Sequence, residues 1–245
     1  MYKRQQFDLS PADDWDDIPP MAMVKRFGGF GFELGRENDA LRREYTQAYH
    51  ACVSFVDAQI GLILDKLKSQ KLWNDTIVIF TSDHGYHLGE HFMWGKVTLF
   101  EECAHVPLIV RVPGVSPAGK TSQGLVETID LFPTLAELCG LTAPAQLQGK
   151  SYVSLIRKPG GPGKPSAYTV VSRGTQFGRS IRTQRWRYAE WGEAKAAELY
   201  DLQRDPREYT NLAKSSQHRD IVRQMKSRLA KRQAQAESTR KLTRK

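Results

Sequence analysis

Apolar side chains recur at three- and four-residue steps from residue 39 to about 70: Leu41, Tyr45, Tyr49, Cys52, Val53, Val56, Ile60, Ile63, Leu64 and Leu67. That period predicts one amphipathic helix, capped by Asn38 or Asp39. Gly61 inside it costs about 1 kcal/mol relative to alanine, which points to close packing there. The period changes at residues 76–82, Thr-Ile-Val-Ile-Phe-Thr-Ser. A continuous β-branched run of this kind suits a strand covered on both faces. Residues 107–112 predict a second strand and Leu125–Thr128 a third. A helix is expected from about Asp130 to Leu138, with Gly140 as its stop. Helix, strand, strand and helix in this order indicate an α/β sheet.

From about Lys158 the texture is different. Pro159-Gly160-Gly161-Pro162-Gly163 is a linker. Short runs at Ala167–Arg173, Gly178–Thr183, Trp186–Trp191 and Glu198–Leu202 predict an antiparallel meander. Ile221, Val222, Met225 and Leu229 mark a final amphipathic helix with bases on its polar face, and residues beyond about Arg232 are expected to fray. Residues 8–20, with Asp13, Asp14, Asp16, Asp17, Pro19 and Pro20, read as a solvated loop. The expected division is therefore an α/β part at 1–157, a small antiparallel β part at 158–213 and a basic helix and tail at 214–245.

Charge changes this picture in one respect. The 245 residues carry 36 Lys and Arg against 27 Asp and Glu, a net +9. Such a charge suggests an anionic partner. Residues 214–245, however, hold 11 bases and only two acids, Asp220 and Glu237, whereas residues 1–213 balance at 25 of each. The basicity belongs to the tail, and the body has no nucleic-acid motif. Cys52, Cys103 and Cys139 are too few for a disulfide framework, although one bridge could form. No apolar run reaches the roughly 18 residues of a membrane span. The first residues lack an apolar stretch, so no secretory signal is expected within this chain.

The chemistry concentrates in Phe80-Thr-Ser-Asp83-His84-Gly85-Tyr86-His87-Leu88-Gly89-Glu90-His91 and Trp94-Gly95-Lys96. Asp83 and His84 stand just past a predicted strand, where ligands bind in open α/β sheets. A carboxylate and an imidazole can share one divalent cation: oxygen suits calcium, nitrogen tolerates zinc. Lys96 adds a mobile positive charge for a tetrahedral oxyanion. His50 and His105 read as structural.

Ser-Asp-His-Gly followed by Leu-Gly-Glu-His, Trp-x-Lys, Val-Pro-Leu-Ile and Val-Pro-Gly resembles the type I sulfatases of the alkaline phosphatase-like superfamily. The likeness is greatest to the iduronate-2-sulfatase-like branch. Tyr49 to Asp57 with Gln59-Ile-Gly61, Asp130-Leu-Phe-Pro-Thr-Leu, and Glu198-Leu-Tyr-Asp-Leu202 with Asp205-Pro206 and Asn211-Leu-Ala213 extend it over about Ala40 to Ala213. The resemblance implies part of an alkaline phosphatase-like α/β sandwich with a small C-terminal antiparallel sheet and a terminal helix. It also implies that Asp83 and His84 are metal ligands, usually for calcium. Lys96 becomes the catalytic residue that contacts the sulfate, with Tyr86 and His87 as further substrate contacts.

Sulfatases of this type use a formylglycine nucleophile made from the cysteine of Cys-x-Pro-x-Arg. None of Cys52, Cys103 and Cys139 has proline at +2 and arginine at +4. The family's early pair of metal-binding aspartates is missing too, since Asp13-Asp14 and Asp16-Asp17 follow no buried strand. The resemblance therefore implies the C-terminal part of a sulfatase. The nucleophile lies in an N-terminal half outside this chain, and the isolated chain is expected to be inactive. The substrate is expected to be a sulfated small molecule or saccharide, the missing half a partner, and the compartment an exported one: periplasmic, extracellular or lysosomal. Two alternatives stay open. One is a phosphodiester or phosphonate hydrolase of the same superfamily; the other is a non-catalytic module that binds through the basic tail.

Overall fold

The computed structural model describes residues 10–23, 39–192 and 196–242. Asn38, residues 1–8 and the terminal bases Arg244 and Lys245 lie outside the described residues. Helix α1 spans Asp39–Ser69, as its period predicts. Its apolar stripe is bare, however: Val53, Phe55, Val56, Leu62 and Ile63 are all exposed, and Arg42 is the one residue of α1 described as buried. Gly61 has nothing within 4 Å of where a Cβ would stand, so the close packing expected there is absent within this chain.

Strand β1, Val78–Thr81, pairs antiparallel with β4, Leu108–Arg111. The expectation of cover on both faces is not met within this chain. Phe80 is 42% exposed and Ile109 64%. The expected third strand is only a single bridge, Leu125 to Lys164. Its place is taken by a turn of 3-10 helix at Thr128–Asp130, where Glu127 and Asp130 cap each other reciprocally. Helix α3, Leu131–Leu138, follows and ends at Gly140 in the left-handed region, φ +68°. Between β1 and β4 lie the short hairpin of β2, His87–Leu88, and β3, Trp94–Gly95, and the turn of α2, Glu101–Ala104. Helix α4, Val153–Arg157, closes this part around Val112, Tyr152, Leu155 and Ile156.

The meander forms as its alternation predicts. Strands β5 (Ala167–Arg173), β6 (Gln176–Arg182), β7 (Trp186–Trp191) and β8 (Ala196–Asp201) make one antiparallel sheet in chain order. Ile181, Tyr188 and Leu199 lie opposite one another across three strands. They pack against Met225 and Leu229 of helix α5, Arg219–Leu242. The helix runs unbroken past Arg232, so the fraying expected there is replaced by regular structure. The opposite parity turns Val171, Ala189, Trp191 and Tyr200 toward a second core with Ile18, Ala22, Met93, Leu99 and Phe100. Gly178 permits this, because a Cβ there would lie 2.5 Å from the Trp191 ring.

Residues 10–23 therefore depart from the solvated-loop reading. Ser10, Asp14, Ile18 and Ala22 are buried. The Arg173 guanidinium donates to the carbonyls of Met21, Met23, Ala22 and Val97 and lies over the Trp191 ring, which ties this segment to the sheet. All three cysteines are free, so the one possible bridge does not form.

Candidate functional site

The chain leaves β1 at Thr81 and places Asp83 and His84 immediately beyond the strand end. The Asp83 side chain is 85% exposed, and its Oδ2 lies 3.5 Å from His84 Nε2. His84 Nδ1 bonds the Gly85 carbonyl at 2.8 Å. A carbonyl only accepts, so Nδ1 carries the proton and Nε2 presents a lone pair. Lys96 Nζ donates to that lone pair at 2.9 Å. The Asp83 carboxylate and the Lys96 ammonium thus both approach His84 Nε2.

The surrounding backbone is built to hold them. Gly85 N–H donates to the Cys103 carbonyl at 2.9 Å, and a Cβ at Gly85 would lie 1.8 Å from the Glu102 carbonyl oxygen. Only glycine allows that approach. Val97, next to Lys96, has φ 70°, a conformation a β-branched residue adopts at a cost of about 1–3 kcal/mol. Arg173 holds the Val97 carbonyl at 3.1 Å. The hairpin that carries Lys96 is therefore pinned by the C-terminal sheet.

Tyr86 and His87 are placed differently. Tyr86 is half-buried, bonded to Tyr45 Oη at 2.9 Å, and packs on the Tyr49 ring. Burial, and then the bond to Tyr45, push its phenol well above the ordinary range, so it stays neutral. His87 is wholly buried and bonds Thr98 Oγ1 at 2.8 Å. Burial, reinforced by His91 and Arg187, lowers its pKa to about 3. The structure gives His87 no open face, so it packs the hairpin rather than meeting a ligand within this chain.

A second polar cluster was not anticipated. His91 Nδ1 contacts both oxygens of Asp14 at 3.1 and 3.2 Å, and its backbone N–H donates to Ser10 Oγ at 2.8 Å. Burial pulls the imidazole down, but Asp14 outweighs it and raises its pKa. Phe100 stacks on His91, with ring centroids 4.1 Å apart. The buried Arg187 guanidinium lies over the Phe100 ring, 4.8 Å from its centroid, and pairs with Glu208, whose second oxygen accepts from Glu101 N–H at 2.8 Å. Burial disfavours the charge on Arg187, but Glu208 and Glu198 outweigh that and keep it cationic. His91, Glu102 and Glu208 have ligand atoms within 4.8 Å of one another. Arg187 already supplies the positive charge there, and both Glu208 oxygens already accept hydrogen bonds, so the cluster fits an interior ion-pair network. It joins residues 10–23, the hairpin and the sheet.

Asp83 and His84 also line a groove of about 1430 Å³ together with Leu108 to Val112, Ile129, Leu131 and Tyr152.

Comparison with known proteins places this chain beside sulfatases. Residues 6–141 match the sulfatase family, and residues 89–235 match the family described as N-sulphoglucosamine sulphohydrolase, C-terminal. A sulfatase of Formosa agariphila is 32% identical over 239 residues, covering 96% of this chain and 46% of that protein. Human iduronate 2-sulfatase is 31% identical, covering 74% of this chain and 46% of that protein. The solved structure of BT4656 in complex with its substrate D-glucosamine-2-N,6-O-disulfate superposes with TM-score 0.78 and 28% identity, covering 85% of this chain and 44% of that one. The phosphonate monoester hydrolase of Agrobacterium radiobacter superposes with TM-score 0.72 and 30% identity, covering 79% of this chain and 42% of that one. The chain spans about half the length of the curated relatives it matches.

Proposed function

The chain belongs to the sulfatase family, and from that premise we propose that it supplies the metal and sulfate-binding half of a sulfuric ester hydrolase. The convergence of Asp83, His84 and Lys96 carries this reading. The donor set fits a divalent cation: Asp83 offers an exposed carboxylate and His84 a lone pair on Nε2, fixed by the bond from Nδ1 to the Gly85 carbonyl. A hard ion such as calcium, held there, would neutralise charge on a sulfuryl oxygen. Lys96 donates to a second oxygen and leaves the His84 nitrogen to do so. Val97 and Arg173 keep the lysine aimed. Tyr86, neutral and tied to α1, is a contact for the uncharged part of the substrate.

The nucleophile belongs to the half outside this chain, since no cysteine here sits in Cys-x-Pro-x-Arg. We take it to be a formylglycine. The bare stripe of α1 and the exposed faces of β1 and β4 are where that half packs. Two ligands bind an ion weakly, because affinity follows ligand number and charge. The chain alone should therefore bind calcium weakly and turn nothing over. The relatives' substrates favour a sulfated saccharide, met in a periplasmic, extracellular or lysosomal setting. No described helix is long and apolar enough to cross a membrane.

Calcium titration followed by calorimetry tests the ligand assignment. Binding weaker than about 10 µM is expected, with further loss of at least tenfold in Asp83→Ala. Equal affinity in wild type and Asp83→Ala would refute it. The likeness to a phosphonate monoester hydrolase keeps a second reading in view. It is separated by offering matched aryl sulfate and aryl phosphonate esters to the assembled enzyme.

A further inference from the structure

We propose that the solvent face of helix α5 is a docking surface for a sulfated polysaccharide chain, separate from the Asp83, His84 and Lys96 site; the choice of polysaccharide rests on the sulfatase reading. Three observations carry it. First, charge is segregated: residues 214–245 hold 11 bases and two acids, while residues 1–213 are balanced. A neutral body leaves the field of the helix uncancelled.

Second, the helix is anchored, and its bases are not spent on anchoring it. Met225 and Leu229, 3% and 1% exposed, fix one side to the β5–β8 sheet. Arg219, Arg223, Lys226, Arg228 and Lys231 are exposed. They extend over about 18 Å of helix at 1.5 Å per residue. Arg223 pairs with Asp220, and Lys226 reaches Glu190 only at 3.9 Å. Among the described residues, Arg219, Arg228 and Lys231 pair with no carboxylate. Arg232 turns inward, to Glu127 at 3.2 Å. A helix already anchored to the sheet has little backbone ordering entropy left to lose when a polyanion docks on its exposed cations.

Third, residues 214–245 contain no Phe, Tyr or Trp, and the His218 ring is packed against Trp186. Single-stranded nucleic acid is held by bases stacked on aromatic rings as well as by charge. Sulfate groups need cationic donors only. The surface therefore fits a polymer whose recognition elements are sulfates, and docking would raise the local concentration of ester bonds near the reaction site.

The test is fluorescence polarisation of the full 245-residue chain with a labelled heparin-derived oligosaccharide across a salt series. Unlabelled desulfated heparin and a single-stranded DNA of matched charge serve as competitors. The proposal expects salt-sensitive binding, weakened at least about tenfold when Arg219, Arg223, Lys226, Arg228 and Lys231 are all changed to Gln. A second variant with the three arginines changed to Lys should keep binding within about twofold, because the charge is retained. Circular dichroism reports that the helix persists in both. Desulfated heparin and DNA should compete poorly. Absence of heparin binding, unchanged affinity in the five-fold Gln variant, or DNA competing as well as heparin would each overturn the proposal. Lys96→Ala and Asp83→Ala should weaken binding by no more than about twofold; a loss as large as in the five-fold Gln variant would place the polymer at the metal site and overturn the separate surface. Failure of the sulfatase reading would instead show as absent sulfate-ester turnover in the assembled enzyme while heparin binding persists.

Discussion

The C-terminal sheet with α5 and the region of α1, β1 and β4 differ in how much of their own core they contain. The sheet buries both faces, one against Met225 and Leu229 and the other against Phe100, Met93 and Ile18. Helix α1 and the β1–β4 pair have equally apolar sequences, yet Phe55, Ile63 and Ile109 are each more than 60% exposed. Sequence pattern dictates which residues want cover; it does not say that the cover is in the same chain. On the function proposed above, the other half would pack on the α1, β1 and β4 side, next to Asp83 and His84.

Truncation separates the two regions most strongly. Leu229→Ala removes a filled core position and should cost about 2–5 kcal/mol in urea unfolding. Ile63→Ala, on the bare stripe, should stay within about 0.5 kcal/mol. A large cost at Ile63 in the isolated chain would break the comparison. Acid should act through the enclosed part next. His87 has a pKa of about 3 when folded, against 6.5 for the free side chain. Only the neutral ring fits the fold, so its contribution is present above pH 6.5 and is lost as pH falls toward 3. At about pH 4.5 the two-unit difference corresponds to about 3 kcal/mol. Unfolding free energies of wild type and His87→Gln should therefore diverge between pH 7 and 4.5, the wild type losing more; parallel curves would show that His87 is solvated. Glycine substitutions sharpen the contrast at smaller scale. Gly178→Ala meets the Trp191 ring and should cost about 1–3 kcal/mol. Gly61→Ala meets nothing and should stabilise α1 by about 1 kcal/mol. Thermal melts of the two variants should move in opposite directions.

Periodicity made α1 and the meander legible to within a few residues, because each repeats its pattern over many positions; α5 was found, but its last ten residues, Gln233–Leu242, carry too few apolar side chains to show as helix. The Asp83, His84 and Lys96 grouping was legible from one contiguous motif. The Asp14 and His91 contact was not, since 77 residues separate them and a run of acids near prolines looks like solvated loop. One signal for Arg187 was available. It shares the strand parity of Ala189 and Trp191, which face the core, so a charged residue there required a buried partner. Glu208 is that partner, yet no local pattern names it. The expected third strand failed because Leu125–Thr128 is apolar enough for a strand, while Glu127 and Asp130 form a capping box that turns the chain into helix.

We propose a division of one active site, with the metal and sulfate groups on this chain and the nucleophile elsewhere. It is tested most directly by aryl sulfate turnover with the purified chain, alone and combined with a sulfatase N-terminal half carrying a matured Cys-x-Pro-x-Arg cysteine. The expected result is no turnover by the chain alone, turnover in the combination, and its loss when the chain carries Asp83→Ala. Turnover by the chain alone, or undiminished turnover with Asp83→Ala, would contradict it.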